Sequence, residues 1–175
     1  GVDGSLTQKT KKAETGFSFL LVGQSNEHIC FSNRAANDEL RITDSELRVM
    51  ENARRIYLTS LSGDWRMNLD KIFSLPNLNI AWNPGHRQII TGLKVLGRYL
   101  KRSECLIVNK DEAVELVMSD KKYKNRGAVF LNKVENLLSA LASYGTKVVL
   151  ITNGRHGADA LAGGKVYHQS IIKEA

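Results

Sequence analysis

Cysteine is scarce in this 175-residue chain, and so are long apolar runs. The two cysteines, Cys30 and Cys105, lie in apolar, strand-like runs without the close spacing of a metal site or a disulfide framework. Both are expected to be buried free thiols, which suits a reducing, cytoplasmic compartment. The longest apolar runs, such as Phe17 to Val22, fall far short of the ~20 residues that a membrane-spanning helix needs, so no membrane partner is expected. The opening GVDGSLTQKTKK has no apolar stretch of the kind a secretory leader carries. The histidines, at 28, 86, 156 and 168, stand at no metal-ligand spacing. No Ser/His/Asp or Cys/His set can be assembled from the order of the residues, and no internal repeat is visible.

What the chain does have is 42% hydrophobic residues, enough for one compact domain with a real core. It also has a net charge of +7 and a pI near 9.5. That balance would suit a nucleic-acid partner if the basic residues were clustered. They are scattered instead, at Lys9, Lys11 and Lys12, at Arg48, Arg54 and Arg55, and onward to Lys121, Lys122, Lys124 and Arg126. A solvated surface explains them better, with attraction for phosphate second, and a nucleic acid is not the expected partner.

Apolar patterning divides the chain into alternating elements. Phe17 to Val22 and His28 to Phe31, joined through Gly23-Gln24-Ser25, predict a hairpin. Thr43-Asp44-Ser45-Glu46 is a capping box opening a helix to about Arg54. A strand is expected from Ile56 to Leu61, a helix from Trp65 to Leu75 ending before Pro76, and a strand from Leu78 to Trp82. Further helices are expected at about 88–102, after residue 108 to Met118, and at about 129–144, with strands at Cys105–Val108 and Lys147–Ile151. Gly163-Gly164 reads as the turn of a terminal hairpin between 158–161 and 165–168. Strands separated by helices of this length imply βαβ units, so the fold class is α/β with a mostly parallel sheet, flanking helices and a small β lid near the N-terminus. Residues 1–40 are the lid and entry segment, and 41–175 the α/β portion.

Two strands end in polar clusters, Asn109-Lys110-Asp111-Glu112 and Thr152-Asn153-Gly154-Arg155-His156-Gly157. Carboxyl edges of open α/β sheets are where such folds bind ligands. The first cluster opens a helix and offers an amide, carboxylates and free N–H groups at a positive helix end, a place for phosphate and its metal. In the second, glycines at 154 and 157 allow positive φ and close approach to a ligand. Together they suggest a nucleotide site.

These residues resemble the ribokinase-like (PfkB) sugar kinases. The N-x-x-E of Asn109 to Glu112, then T-x-G-x-x-G from Thr152 to Gly157 and a Gly-Gly hairpin, stand in the order of that family's phosphate-and-metal motif and nucleotide loop. Asn26-Glu27-His28 and Ala35-Ala36-Asn37 resemble its lid strands, and Trp82-Asn83-Pro84-Gly85 its N-P-containing strand end. The Gly-Gly-x-x-x-Asn substrate cradle and the D-T-x-G-A-G-D segment of the family are not in these 175 residues. The chain therefore looks like the middle of such a kinase, with the general base expected beyond Ala175 and no catalytic residue to nominate.

The resemblance implies transfer of the γ-phosphoryl group of ATP to a hydroxyl of a sugar or nucleoside, with Mg²⁺ as second cofactor. It assigns Glu112 to the metal, through water, and Asn109 to phosphate or metal-bound water. Thr152, Gly154 and Gly157 would hold the nucleotide phosphates, while Glu27 and Asn37 would face substrate hydroxyls. Plainer readings stand beside these. Asn109 also makes a good helix N-cap with Asp111 and Glu112 in the first turn, to which Asp111 is assigned alone. The glycines also make a tight turn, Asn83 also starts a turn, and Glu27 is also an ordinary solvated carboxylate. His156 is a candidate to line the nucleotide site. Trp65 and Trp82 are read as core. A homodimer through the lid strands is a further expectation. The chain alone is expected to be inactive, and the competing reading is a non-catalytic nucleotide-binding or structural domain.

Overall fold

The computed structural model describes residues 1, 3–24 and 28–172. After a polar entry segment, β1 (Phe17–Val22) and β2 (His28–Asn33) pair antiparallel as a two-stranded sheet of their own. Strand alternation puts Phe17, Phe19, Leu21, Ile29 and Phe31 on one face, with Phe19 opposite Phe31 and Leu21 opposite Ile29. Among the described residues no layer covers that face, and all five side chains are exposed. The same lack of cover corrects the reading of Cys30 as buried: it is exposed on the other face, while Cys105 is part-buried and burial pushes its thiol pKa up.

A 3₁₀ turn at Ala35–Glu39 leads to α1 (Asp44–Glu51), with Thr43 as its N-cap residue. The Glu46 carboxylate accepts hydrogen bonds from the Thr43 N–H, at 2.9 Å, and from its hydroxyl. The helix ends at Glu51 rather than near Arg54, because the Asn52 amide folds back to donate to the Arg48 carbonyl, 2.9 Å.

The main sheet has the order β3-β4-β5-β6-β7-β8. Its parallel part consists of β3 (Ile56–Leu58), β4 (Ile80–Trp82), β5 (Cys105–Asn109) and β6 (Val148–Thr152). A terminal hairpin, β7 (Ala158–Ala162) and β8 (Lys165–Gln169), adds two antiparallel strands at one edge. Its turn has Gly163 and Gly164 both at positive φ, the conformation a two-residue hairpin turn needs. The connections carry α2 (Trp65–Ser74), then α3 (His86–Ile89) and α4 (Leu93–Leu100), then α5 (Lys110–Ser119), α6 (Ala128–Leu131) and α7 (Val134–Ala142).

β4 begins at Ile80 rather than Leu78, and three further expected elements differ more. The strand predicted from Ile56 to Leu61 stops at Leu58, after which Thr59 and Ser60 leave the sheet edge. The helix predicted over 88–102 is broken at Gly92, whose φ of 73° ends one helix and lets the Leu93 N–H donate to Ser119 Oγ, 2.8 Å. The helix predicted over 129–144 is broken at extended Lys133, and the Asn136 amide donates to the Phe130 carbonyl left at the break, 3.0 Å.

Because strand order follows chain order across the four parallel strands, right-handed crossovers place all the connecting helices on one face. Burial agrees: Leu58, Trp82, Leu106 and Val149 lie in one register row, and each is buried. Against them pack Leu69 and Phe73 of α2, Leu96 and Tyr99 of α4, and Leu137 and Leu141 of α7. Trp82 is fully buried, with Phe73 and Tyr99 ring centroids at 5.7 and 5.9 Å. Both tryptophans are core, as expected from the sequence. Among the described residues, no helix is long and apolar enough to cross a membrane.

Candidate functional site

Parallel pairing aligns the two motifs found in the sequence. Asn109, the last residue of β5, is the register partner of Thr152, the last residue of β6. Neighbouring strands lie ~4.8 Å apart, so the two polar clusters share one carboxyl edge. Both residues are exposed, and alternation puts them on the face of the sheet opposite the helices.

Asn109 caps α5. Its side-chain oxygen accepts from the Glu112 N–H and the Glu112 carboxylate accepts from the Asn109 N–H, each at 2.8 Å. This reciprocal cap is the plainer of the two readings that the sequence allows, and it fixes where the carboxylate sits. One Glu112 oxygen is taken by the cap. The other is left at the positive end of a ten-residue helix. A single free carboxylate oxygen beside an amide suits contact with a hydrated Mg²⁺ rather than a complete inner shell. Accordingly, no group of three or more His, Cys, Asp or Glu side chains gathers among the described residues.

The two loop glycines have different reasons to be glycine. At Gly154, with φ of 51°, a Cβ would meet nothing within 4 Å. At Gly157, with φ of 84° and ψ of −139°, a Cβ would lie 2.0 Å from the Gln169 carbonyl oxygen of β8. Gly157 is therefore required by close packing of the chain on itself, and Gly154 is the position where the backbone is open to a ligand. Asn153 N–H bonds to the Gly157 carbonyl, 2.8 Å, closing the loop. His156 is exposed, with Arg155 Nε 3.5 Å from its Nε2. Asn83 follows β4 at the same edge, and its amide donates to the Ile107 carbonyl, 2.8 Å. Its side chain binds one strand end to the next, which supports the structural reading of Asn83.

A second concavity opens beyond the end of β3. It is a cleft of about 1100 Å³ between the entry segment, the 3₁₀ turn at Ala35–Glu39 and the residues after Leu58. Asn37, expected to face substrate, lines it together with Thr15, Ser60 and Ser62. Glu27 lies outside the described residues. Lys9 and Arg34 also line the cleft. Sequence spacing does not single them out, because residues 25 positions apart come to line one cleft only through tertiary packing, here with the Ala36 N–H on the Glu14 carbonyl, 2.9 Å. From β3 to β6 is three strand spacings, about 14 Å along the edge. A further cavity, about 740 Å³ between α5 and α6, includes Asp111 and Glu115 on the outer side of α5.

The sheet edge thus carries a cap motif and a glycine loop, with a polar cleft at its far end. The model of the pfkB family carbohydrate kinases matches residues 1–175. The chain belongs to that family. Among solved structures, ribokinases and a nucleoside kinase superpose over most of it. The ribokinase of Giardia lamblia has a TM-score of 0.69 at 17% identity, covering 95% of this chain and 50% of that one. Arabidopsis thaliana ribokinase, complexed with ribose and ATP, has a TM-score of 0.68 at 18% identity, covering 93% and 50%. The nucleoside kinase of Burkholderia thailandensis, complexed with inosine, has a TM-score of 0.64 at 12% identity, covering 92% and 48%. The chain spans about half the length of these structures. No curated protein matches its sequence.

Proposed function

We propose that the protein of which these residues form part is an ATP-dependent sugar or nucleoside kinase, with residues 1–40 as lid and 41–175 carrying the nucleotide half. The observation that carries this reading is the register partnership of Asn109 and Thr152 at one carboxyl edge. ATP lies with its phosphates between the α5 N-terminus and the Thr152 to Gly157 loop, and the acceptor lies in the cleft at Asn37. The family match and the ribose, inosine and ATP named for its structural neighbours support that division. Mg²⁺, when bound, neutralises charge on the phosphates. Asn109 and Glu112 would meet it through its water shell, with Glu112 oriented by its bond to the Asn109 N–H. The exposed apolar face of β1 and β2 supports a homodimer through the lid strands as part of the same reading.

Titration calorimetry of ATP, with and without Mg²⁺, tests the site. Glu112→Gln is a clean probe because glutamine still completes a capping box while removing the charge. We expect Glu112→Gln to reduce the gain in ATP affinity from Mg²⁺ at least threefold, and Asp111→Asn to leave it unchanged. Equal metal dependence in the two variants would leave Glu112 as a helix cap and nothing more.

A further inference from the structure

The order of the residues suggests no Ser/His/Asp set, but pairing within the terminal hairpin assembles one. Asp159 of β7 and His168 of β8 are register partners, so their side chains stand side by side on one face of the sheet. His168 Nδ1 lies 2.7 Å from Asp159 Oδ1. Ser170 comes two residues after His168, just past the end of β8, and its Oγ lies 3.4 Å from His168 Nε2. The two ring nitrogens therefore join a carboxylate on one side to a hydroxyl on the other.

Each member is held in place by its surroundings. Asp159 is also the register partner of Ile151, which is fully buried on the helix-covered face. That neighbourhood leaves only 15% of the Asp159 side chain exposed, and a carboxylate drawn out of water needs a donor to compensate it. A carboxylate only accepts, so the ring proton sits on Nδ1, and in the neutral imidazole Nε2 is left as the acceptor facing Ser170. The glycine loop fixes the Ser170 backbone, because a Cβ on Gly157 would lie 2.9 Å from the Ser170 Cα. The side from which a reactant would come is open: His168 and Ser170 are both exposed. Thr152 pairs with Ala158, one residue before Asp159, so Asn109 and Thr152 stand on the opposite face of the sheet.

We propose that Ser170, His168 and Asp159 form an acyl-transfer site that hydrolyses small, uncrowded carboxylic esters, an activity separate from phosphoryl transfer. Ser170 Oγ attacks the ester carbonyl carbon while its proton passes to His168 Nε2. As the bond to the alcohol oxygen breaks, that oxygen takes the proton from Nε2 and the alcohol leaves. Water then attacks the acyl group on Ser170, its proton passes through Nε2 to the departing Ser170 Oγ, and the carboxylic acid is released. Asp159 touches no reacting atom. It is a positioning residue that fixes the ring tautomer and stabilises the imidazolium formed in each half of the reaction. The substrate class follows from the setting, since a hydroxyl at an exposed strand end can be approached by a small ester.

Hydrolysis of p-nitrophenyl acetate by the 175-residue chain tests it. p-Nitrophenol should be released with an initial burst, and mass spectrometry of the quenched protein should find an acetyl group on the peptide that holds Ser170. General-base catalysis contributes at least ~100-fold, so Ser170→Ala and His168→Asn should each lower the rate by that factor or more. Ser170 is exposed, and its alanine variant should keep the melting temperature of the parent, which separates lost chemistry from lost folding. Asp159→Asn should lower kcat and leave KM unchanged, and Asp159→Glu should recover part of the loss, as expected of a group that orients the ring. A Ser170→Ala chain as active as the parent, with the acetyl group on a lysine or a histidine, would overturn the proposal. Release by the parent no faster than in buffer alone would also overturn it and leave Asp159 and His168 as a cross-strand hydrogen bond.

Discussion

Alanine at Gly157 and at Gly154 should separate packing from ligand contact within a single loop. At Gly157 the added Cβ would stand 2.0 Å from the Gln169 oxygen, and both atoms belong to backbone held by the β7–β8 hairpin. Relief requires moving β8 or unwinding the turn. Backbone strain alone costs ~1–3 kcal/mol, and the clash raises the expected loss to ~4 kcal/mol or more. At Gly154 only the left-handed φ of 51° resists, roughly 1–2 kcal/mol, because nothing lies within 4 Å of the new methyl. For a chain of this size each kcal/mol moves Tm by about 2–4 °C. Differential scanning calorimetry should therefore find Gly157→Ala melting about 8–16 °C below the parent and Gly154→Ala about 2–8 °C below it. ADP titration should show the opposite ranking among folded protein, with Gly154→Ala losing the larger share of affinity. Equal melting temperatures, or a Gly154 variant less stable than the Gly157 variant, would refute the assignment of Gly157 to chain packing.

Two further outcomes follow from the core and from the α1 cap. Trp82→Ala removes the ring at the centre of the Phe73, Trp82 and Tyr99 cluster and should cost ~3–5 kcal/mol in urea denaturation. A loss under ~1 kcal/mol would mean that the sheet's helix-covered face collapses around the cavity. The Glu46 carboxyl is held down at about 2 by the Thr43 hydroxyl first, then by the Gln8 amide and the Thr43 N–H. Its folded pKa lies below the unfolded value of 4.5, so the stabilisation is complete above pH 4.5 and is lost as pH falls toward about 2. Glu46→Gln should make stability flatter across that window, by ~1 kcal/mol or less for so exposed a group. Parallel acid limbs for variant and parent would show that the Thr43 cap is not what holds the carboxyl down.

Much of this protein is legible in local chemistry alone. The Asn109 and Glu112 spacing forms a reciprocal cap wherever it begins a helix, because cap and N3 side chains reach each other's backbone within one turn. The alternation of Phe17 to Val22 and the apolar runs at Cys105 and Val148 specify strands, and the intervening helical lengths specify a parallel sheet. Breaks within elements are less legible. Gly92 and Lys133 interrupt helices whose periodic apolar pattern continues across the break, and side-chain hydrogen bonds to Ser119 and from Asn136 help to hold the interruptions. Cys30 reads as buried from its neighbours, yet its exposure depends on whether a second layer covers the lid strands, a fact outside its own segment. The same limit applies to the site. Asn109 and Thr152 can be named from sequence because each ends a strand, and strand pairing then brings them together. Lys9, Arg34 and Ser60 lie on three separate segments, and no spacing rule connects them. The packing of Gly16 against the Arg34 carbonyl, where a Cβ would lie 2.6 Å away, helps to bring them to one cleft, since a cluster of side chains in space is set by how chain segments dock rather than by their order.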